Sequence, residues 1–386
     1  MRMKKIKICF VIFIMIITTM IFSLIQIEAI TAQQIQILAK SAILIDQDTG
    51  NVLFEYNSDE QRAPASMTKI MALNIIMENI ENGNIKEDEI LVCSEHANSI
   101  QGSQIWLDVG EKMSVVDLLK GVIIGSANDA TIVFAERIAG TEENFVKMMN
   151  EKAASLNMQS THFSNCTGFK DEGNMTTARD VAIMSRELMK HKKMLDYTTI
   201  WMDELRGGKT KLVNTNRLIR FYPGTNGVKT GMTNAAGYCL SASVVRDGLS
   251  LISVVMGCEN SEDRFEMSKM ILNYGFDNFI NIPLPDIQKD LPNLRVEKGE
   301  EDNVGLRVSK PEKVLVEKGK ENSVEQKIEI VKTVKAPVVE NQVIGKVMVC
   351  IADKKICEYP ILTSKEVKKI RFISALKRVL LNVIRI

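Results

Sequence analysis

A chain of 386 residues, 45% hydrophobic and 25% charged, has room for two or three domains with sizeable cores, which excludes a disordered polypeptide. Its 49 Lys and Arg against 48 Asp and Glu leave a net charge of +1, so no overall attraction to nucleic acid is expected. Seven Cys without a Cys-x-x-Cys pair and three dispersed His (His96, His162, His191) indicate neither a disulfide scaffold nor a metal cluster, and no cofactor is expected.

Arg2, Lys4, Lys5 and Lys7 precede an apolar run over residues 8–27, the layout of a secretory signal with Ala29 or Ala32 ahead of a cleavage point, assigned to residues 1–32. The run is also long enough to serve as an uncleaved anchor. Either reading exports the remainder of the chain and keeps the basic end in the cytoplasm.

Segments 42–45 and 52–56 flank the turn-rich Asp46-Gln47-Asp48-Thr49-Gly50-Asn51 and predict a hairpin. Then comes Pro64-Ala65-Ser66-Met67-Thr68-Lys69. After it, Ile70, Met71, Leu73, Ile75, Ile76, Met77 and Ile80 leave almost no polar face, which predicts a buried helix over residues 67–80. Pro64 suits the turn ahead of that helix, and Ser66 and Lys69, three residues apart, share a face. A serine hydroxyl becomes a competent nucleophile when a base takes its proton, and a lysine amine is such a base only if burial or a second cation depresses its pKa. The positive end of the helix dipole pushes the same way and favours a developing oxyanion. The stretch is therefore suited to acyl transfer without histidine. Spacing alone does not decide this, because Ser374-Ala375-Leu376-Lys377 repeats Ser-x-x-Lys on the polar face of an amphipathic segment.

Helical periodicity over residues 115–138 is broken near 121–128 by Gly125-Ser126-Ala127-Asn128-Asp129-Ala130. Helices are predicted again at 142–156 and 177–190, the second opened by Thr176 and Thr177 with Asp180 in its first turn. Residues 205–211 read as a hairpin tip, and Gly224-Thr225-Asn226-Gly227-Val228-Lys229-Thr230-Gly231 leads into a strand region. Strands at 237–245 and 249–256 flank Arg246-Asp247-Gly248, and a helix is predicted next at 262–274. One antiparallel sheet covered by helices, an α/β or α+β domain over residues 38–278, is the architecture this order implies.

Beyond residue 280 short alternating segments separated by charged, Pro-punctuated connections predict a small all-β domain, residues 283–362. Within it a hairpin turning at Asp353-Lys354 would pair Ala352 with Lys355 and set Cys350 directly opposite Cys357, a disulfide position in an exported protein. Over residues 365–386, Phe372, Ile373, Leu376, Val379, Leu380, Val383 and Ile384 fall on one side of a helix, and Arg371, Arg378 and Arg385 on the other. This predicts an amphipathic helix on a membrane surface; a terminal helix packed on its own protein is the alternative.

The order Ser-x-x-Lys, Ser-x-Asn, Lys-Thr-Gly, carried by Ser66 to Lys69, Ser126 to Asn128 and Lys229 to Gly231, is the signature of the active-site serine enzymes that react with penicillin. Residues 41–276 resemble the low-molecular-mass penicillin-binding proteins, the serine-type D-Ala-D-Ala carboxypeptidases of peptidase family S11. The resemblance implies a penicillin-binding/β-lactamase-like domain followed by the small all-β domain and the amphipathic helix. It implies Ser66 as nucleophile, Lys69 as general base and Ser126 as proton relay. Asn128 would bond the substrate backbone, Lys229 would supply positive charge that helps keep Lys69 neutral, and Thr230 would bind the terminal carboxylate. The N–H groups of Ser66 and Met232 would form the oxyanion hole. Arg264 matches an arginine that assists carboxylate binding, with a solvated surface position as the alternative. The implied substrate is the peptidoglycan stem peptide ending in D-Ala-D-Ala, met at the outer face of the cytoplasmic membrane, with β-lactams as inhibitors. No Glu-x-x-x-Asn stretch lies between Ser126 and Lys229, unlike in class A β-lactamases. A β-lactamase, a D,D-endopeptidase or a non-catalytic wall-binding protein on the same fold are the other readings.

Overall fold

A computed structural model describes residues 35–169, 173–311, 313–351 and 353–374; the predicted leader lies outside them. The first unit is built on β1 (Ser41–Asp46), β2 (Val52–Tyr56), β3 (Thr225–Thr233), β4 (Gly237–Arg246) and β5 (Leu249–Cys258). They form one antiparallel sheet in the order β2-β1-β5-β4-β3, so segments from the two ends of the unit pair at its centre. All six residues of β1 are buried, Ile43 and Ile45 toward one core and Ala42 and Leu44 toward another. Alternating apolar residues on both faces require cover on both faces. Helices α1 (Thr68–Glu81), α2 (Val115–Ile124), α3 (Asn128–Ala139), α4 (Glu142–Ser155) and α5 (Ala178–Leu188) contribute to the first core, and α6 (Ser261–Asn278) to the second.

Eleven of the 14 residues of α1 are buried, as its lack of a polar face predicts. A polar residue at such a position needs partners. Asn74 finds them in the carbonyls of Ile70 (2.9 Å) and Met184 (3.0 Å), the second bond tying α1 to α5. Thr177 caps α5 by accepting the N–H of Asp180.

The β-rich unit takes up the chain at β6 (Phe279–Pro283), which pairs with β7 (Lys313–Glu317), four residues before the predicted start at 283. Its main sheet joins Leu306–Val308 to β10 (Lys354–Thr363), β9 (Val343–Ile351) and β8 (Val324–Ile330), in that order.

Two expectations are corrected here. Ile351 pairs with Lys354, Cys350 with Lys355, and Val349 with Cys357, because Asp353 takes the left-handed turn position (φ 65°) and the register shifts between Val349 and Cys350. Cys350 and Cys357 are therefore not opposite each other, and both thiols are free. Residues 365–370 are extended, not helical. The N–H and carbonyl of Val367 pair with those of Val338 at 2.9 Å in both directions, and the Val367 side chain is buried in the β unit's core. Helical backbone begins at Phe372, and the chain after Ser374 lies outside the described residues.

α6 lies close on the sheet at Gly275, where an added Cβ would stand 2.6 Å from Leu251 Cδ1 and 2.7 Å from Leu44 Cδ2. Gly275→Ala is expected to cost about 1–3 kcal/mol by overpacking. The midpoint of urea unfolding measures it, and an unchanged midpoint would show that α6 can shift freely.

Candidate active site

Ser66 lies in a one-turn 3₁₀ segment, Ala65–Met67, that runs directly into α1, with Pro64 at its cap. This geometry brings Lys69 Nζ to 3.2 Å from Ser66 Oγ, and the same amine donates to the carbonyl of Thr167 at 2.8 Å. Lys69 is wholly buried, and burial pushes its amine down to about 7 against a smaller upward pull from Cys166 and Asp129. At neutral pH a substantial fraction is a free base beside a hydroxyl, the pairing that nucleophilic catalysis by serine requires.

Two close approaches pack the backbone tightly around the turn that carries Ser66 and over the buried Lys69. Gly168 (φ 73°) passes so near the serine turn that a Cβ there would overlap the Ala65 carbonyl oxygen at 1.9 Å. From the other side β3 crosses at Gly231, where a Cβ would lie 2.9 Å from the Pro64 carbonyl oxygen and 3.2 Å from Ala65 Cβ. The Lys229-Thr230-Gly231 strand is thus laid directly against the turn that carries Ser66.

Lys229 is buried as well, and its amine is pushed well below its ordinary value by burial first, then by the charges of Lys69 and Arg264. Thr230 Oγ1 donates to Thr215 Oγ1 at 2.7 Å, and the Thr215 N–H bonds the Ile124 carbonyl, linking β3 to the end of α2 just ahead of Ser126. Ser126 is buried in a left-handed conformation (φ 62°), and its Oγ has no hydrogen-bond partner among the described residues. Asn128, which opens α3, donates from Nδ2 to the Gln101 carbonyl (2.6 Å) and from its backbone to that of Ser103 (2.7 Å).

Residues 28–260 match the family described as D-alanyl-D-alanine carboxypeptidase, and residues 288–369 match the C-terminal domain of penicillin-binding protein 5. The chain belongs to the D-alanyl-D-alanine carboxypeptidase family. Its activity is that family's, serine-type hydrolysis of a D-alanyl-D-alanine bond. It is 42% identical to D-alanyl-D-alanine carboxypeptidase DacF of Bacillus subtilis over 88% of each chain. It is 30% identical to DacA of Escherichia coli over 87% of this chain and 85% of that one. Among solved structures, penicillin-binding protein 5 from Haemophilus influenzae superposes with a TM-score of 0.80 at 31% identity, covering 86% of this chain and 98% of that chain. Penicillin-binding protein D2 from Listeria monocytogenes, in its ampicillin-bound form, superposes with a TM-score of 0.58 at 29% identity over 63% of this chain and 99% of that one.

In this carboxypeptidase the structure gathers Ser66, Lys69, Lys229, Thr230 and the Ser126–Asn128 segment around one centre. Arg264, on α6, is half-buried against the rings of Tyr238 and Phe265, and its Nη1 donates to the Gly231 carbonyl at 3.2 Å, so it is not a freely solvated surface side chain. Met232 is the next residue on β3, with its side chain exposed. Burial is the leading cause of the lowered pKa of both amines, and the charge of Lys69 adds to the lowering at Lys229.

Sequence reasoning missed Thr167 and Thr215. Thr167 contributes a backbone carbonyl, which no side-chain motif marks. It also missed Asp129, whose buried carboxylate accepts the N–H groups of Ile105 (3.2 Å) and Leu107 (3.1 Å) and so fixes the loop over Asn128; its place inside the Gly125 to Ala130 motif was the available signal.

Were the free amine of Lys69 to take the Ser66 proton, acylation would speed up as pH rises through about 7, the value to which burial lowers that amine. The rate constant for labelling by a fluorescent penicillin is expected to climb about ten-fold per unit below about pH 6 and level off above about pH 8. A profile flat from about pH 5 to 9 would exclude Lys69 as the titrating base.

Proposed function

We propose that Ser66, Lys69 and Ser126 carry the hydrolysis through an acyl-enzyme. Neutral Lys69 Nζ takes the Ser66 hydroxyl proton as Oγ attacks the carbonyl of the penultimate D-alanine of a peptidoglycan stem peptide. The peptide C–N bond breaks, and the departing D-alanine amine receives a proton relayed through Ser126. Water then hydrolyses the ester on Ser66 and restores the hydroxyl. The N–H groups of Ser66 and Met232 bind the oxyanion of both tetrahedral intermediates. Asn128 bonds the substrate backbone. Lys229 and Thr230 take the terminal carboxylate, while Arg264 adds charge from behind β3 and braces it through the Gly231 carbonyl.

The observation that carries this reading is the 3.2 Å contact between Ser66 Oγ and a wholly buried lysine whose amine titrates near 7. A backbone carbonyl, not a carboxylate, is the other partner of Lys69, which supports slow loss of a β-lactam acyl group and so a penicillin target. Release of free D-alanine from a synthetic peptide ending in D-Ala-D-Ala tests the reaction. Ser66→Ala and Lys69→Ala should each remove at least about 1,000-fold of it, and the double variant should lose no more than either single one, because the two act as one unit. Undiminished penicillin labelling of Ser66→Ala would move the nucleophile elsewhere.

The work of the family on the cell envelope supports an enzyme exported by its leader and held at the outer face of the cytoplasmic membrane. Among the described residues no helix is long and apolar enough to cross a membrane. Phe372 and Ile373 are 81% and 80% exposed, and Arg378 and Arg385, later in the sequence, suit anionic headgroups. Deletion of residues 372–386 spares the Val367 pairing and should release the signal-cleaved protein from membranes, with turnover of a soluble peptide changed by less than about two-fold. Full sedimentation of the truncated protein with membranes would refute this anchor.

A further inference from the structure

The loop that closes over Asn128 is pinned at nearly every residue. The carbonyls of Gln101 and Ser103 accept from Asn128, and the N–H groups of Ile105 and Leu107 go to the buried carboxylate of Asp129. Arg206, from the tip of the hairpin Met202–Leu205 and Thr210–Val213, donates to the carbonyls of Ile105 (2.9 Å) and Trp106 (3.2 Å). Asn98 donates to the carbonyl of Leu107 at 2.7 Å. Ile105 and Leu107 turn inward, 1% and 2% exposed, whereas Trp106 between them is 74% exposed.

Trp106 also holds φ at 59°, a conformation that residues other than glycine rarely adopt. A large apolar ring turned to water on a strained but fully braced backbone is displayed, not left over from folding. No free charge accompanies it in the bracing: the Arg206 guanidinium is paired with Glu111 at 2.7 Å, and the Asp129 carboxylate is consumed by the loop. The platform therefore offers flat apolar area, which suits an uncharged methylene chain.

The proposed roles of the active-site residues, on which this inference rests, fix the direction of the substrate. Its carboxylate end lies at Lys229 and Thr230, and its backbone passes Asn128, so the residue ahead of the two D-alanines reaches the loop that Asn128 holds. We propose that Trp106 forms a subsite for that residue and selects stem peptides with a long aliphatic side chain there, whose methylenes lie against the indole. A rigid, amphipathic Trp face provides such contact with little entropy to lose.

Two peptides separate this role from a structural one: lysyl-D-Ala-D-Ala acetylated on both amines, and acetyl-glycyl-D-Ala-D-Ala. Trp106→Ala is expected to raise KM for the lysyl peptide about ten-fold with kcat little altered, and to lower kcat/KM for the glycyl peptide by no more than about two-fold. Trp106→Phe should recover most of the difference. Equal losses on both peptides would make Trp106 a loop-bracing residue, and no loss on either would leave it without a substrate role; both overturn the proposal. Acylation by 6-aminopenicillanic acid, which has no acyl side chain, should proceed at the parent rate in Trp106→Ala. If the parent protein itself is not acylated on Ser66, the active-site reading fails and this inference falls with it.

Discussion

A lysine amine held out of water is the constraint on which the rest of the molecule depends. Lowering the Lys69 pKa from 10.5 to about 7 corresponds to roughly 5 kcal/mol of lost preference for the charged form. Such a penalty arises only where solvent and counter-charge are both kept away. The Thr167 carbonyl bonds the amine without adding formal charge, and the close passages at Gly168 and Gly231 leave no room for a side chain beside the serine turn. The cost is offset in the same helix: Ile70, Met71, Leu73, Ile75, Ile76 and Met77 are all buried, at about 1.5–3 kcal/mol each for side chains of this size.

The second consequence concerns Lys229 and Arg264. Three basic side chains lie close together, all with pKa values below the ordinary, and burial is the leading cause for each. The centre lacks anionic charge more than it possesses cationic charge. A substrate that ends in a free carboxylate would supply what is lacking and would favour the charged form of Lys229 as it binds. A peptide bond in mid-chain brings no such charge, and this difference is a physical basis for cutting at the end of a chain.

The buried strands, the nearly all-apolar helix and the hairpin at Arg246 to Gly248 were legible because each arises from periodicity or turn chemistry over a few residues. The three motifs were legible because their chemistry lies in side chains. What escaped was carried by backbone or by long-range pairing. Thr167 serves through its carbonyl, 98 residues from Lys69. The Cys350 register failed because a bulge and the left-handed Asp353 shift it, and alternation alone does not reveal a bulge. Residues 365–370 failed because the amphipathic pattern of Phe372 to Ile384 was carried back too far: at 100° per residue Val367 falls on the side of Arg371 and Arg378, and its pairing with Val338 makes the segment extended. The segment takes the conformation that buries Val367 with its backbone bonds satisfied.

The junction between the two units bears on how an anchored enzyme would meet its substrate. α6 passes into β6 without a linker, since Phe279 both ends the helix and starts the strand. β7, the partner of β6, places Leu315 in the core beneath α6, and the Lys318 N–H and Nζ bond the carbonyls of Asn278 and Phe276 at 2.8 and 2.7 Å. Apolar burial together with backbone pairing at this joint resists the hinge motion that an open linker would permit. A membrane attachment through the segment that follows the β unit would therefore govern where the serine centre stands as well as keep the enzyme nearby. The catalytic unit would sample wall peptides within a limited layer outside the membrane, and the β unit, which contains none of the catalytic motifs, would set the depth of that layer.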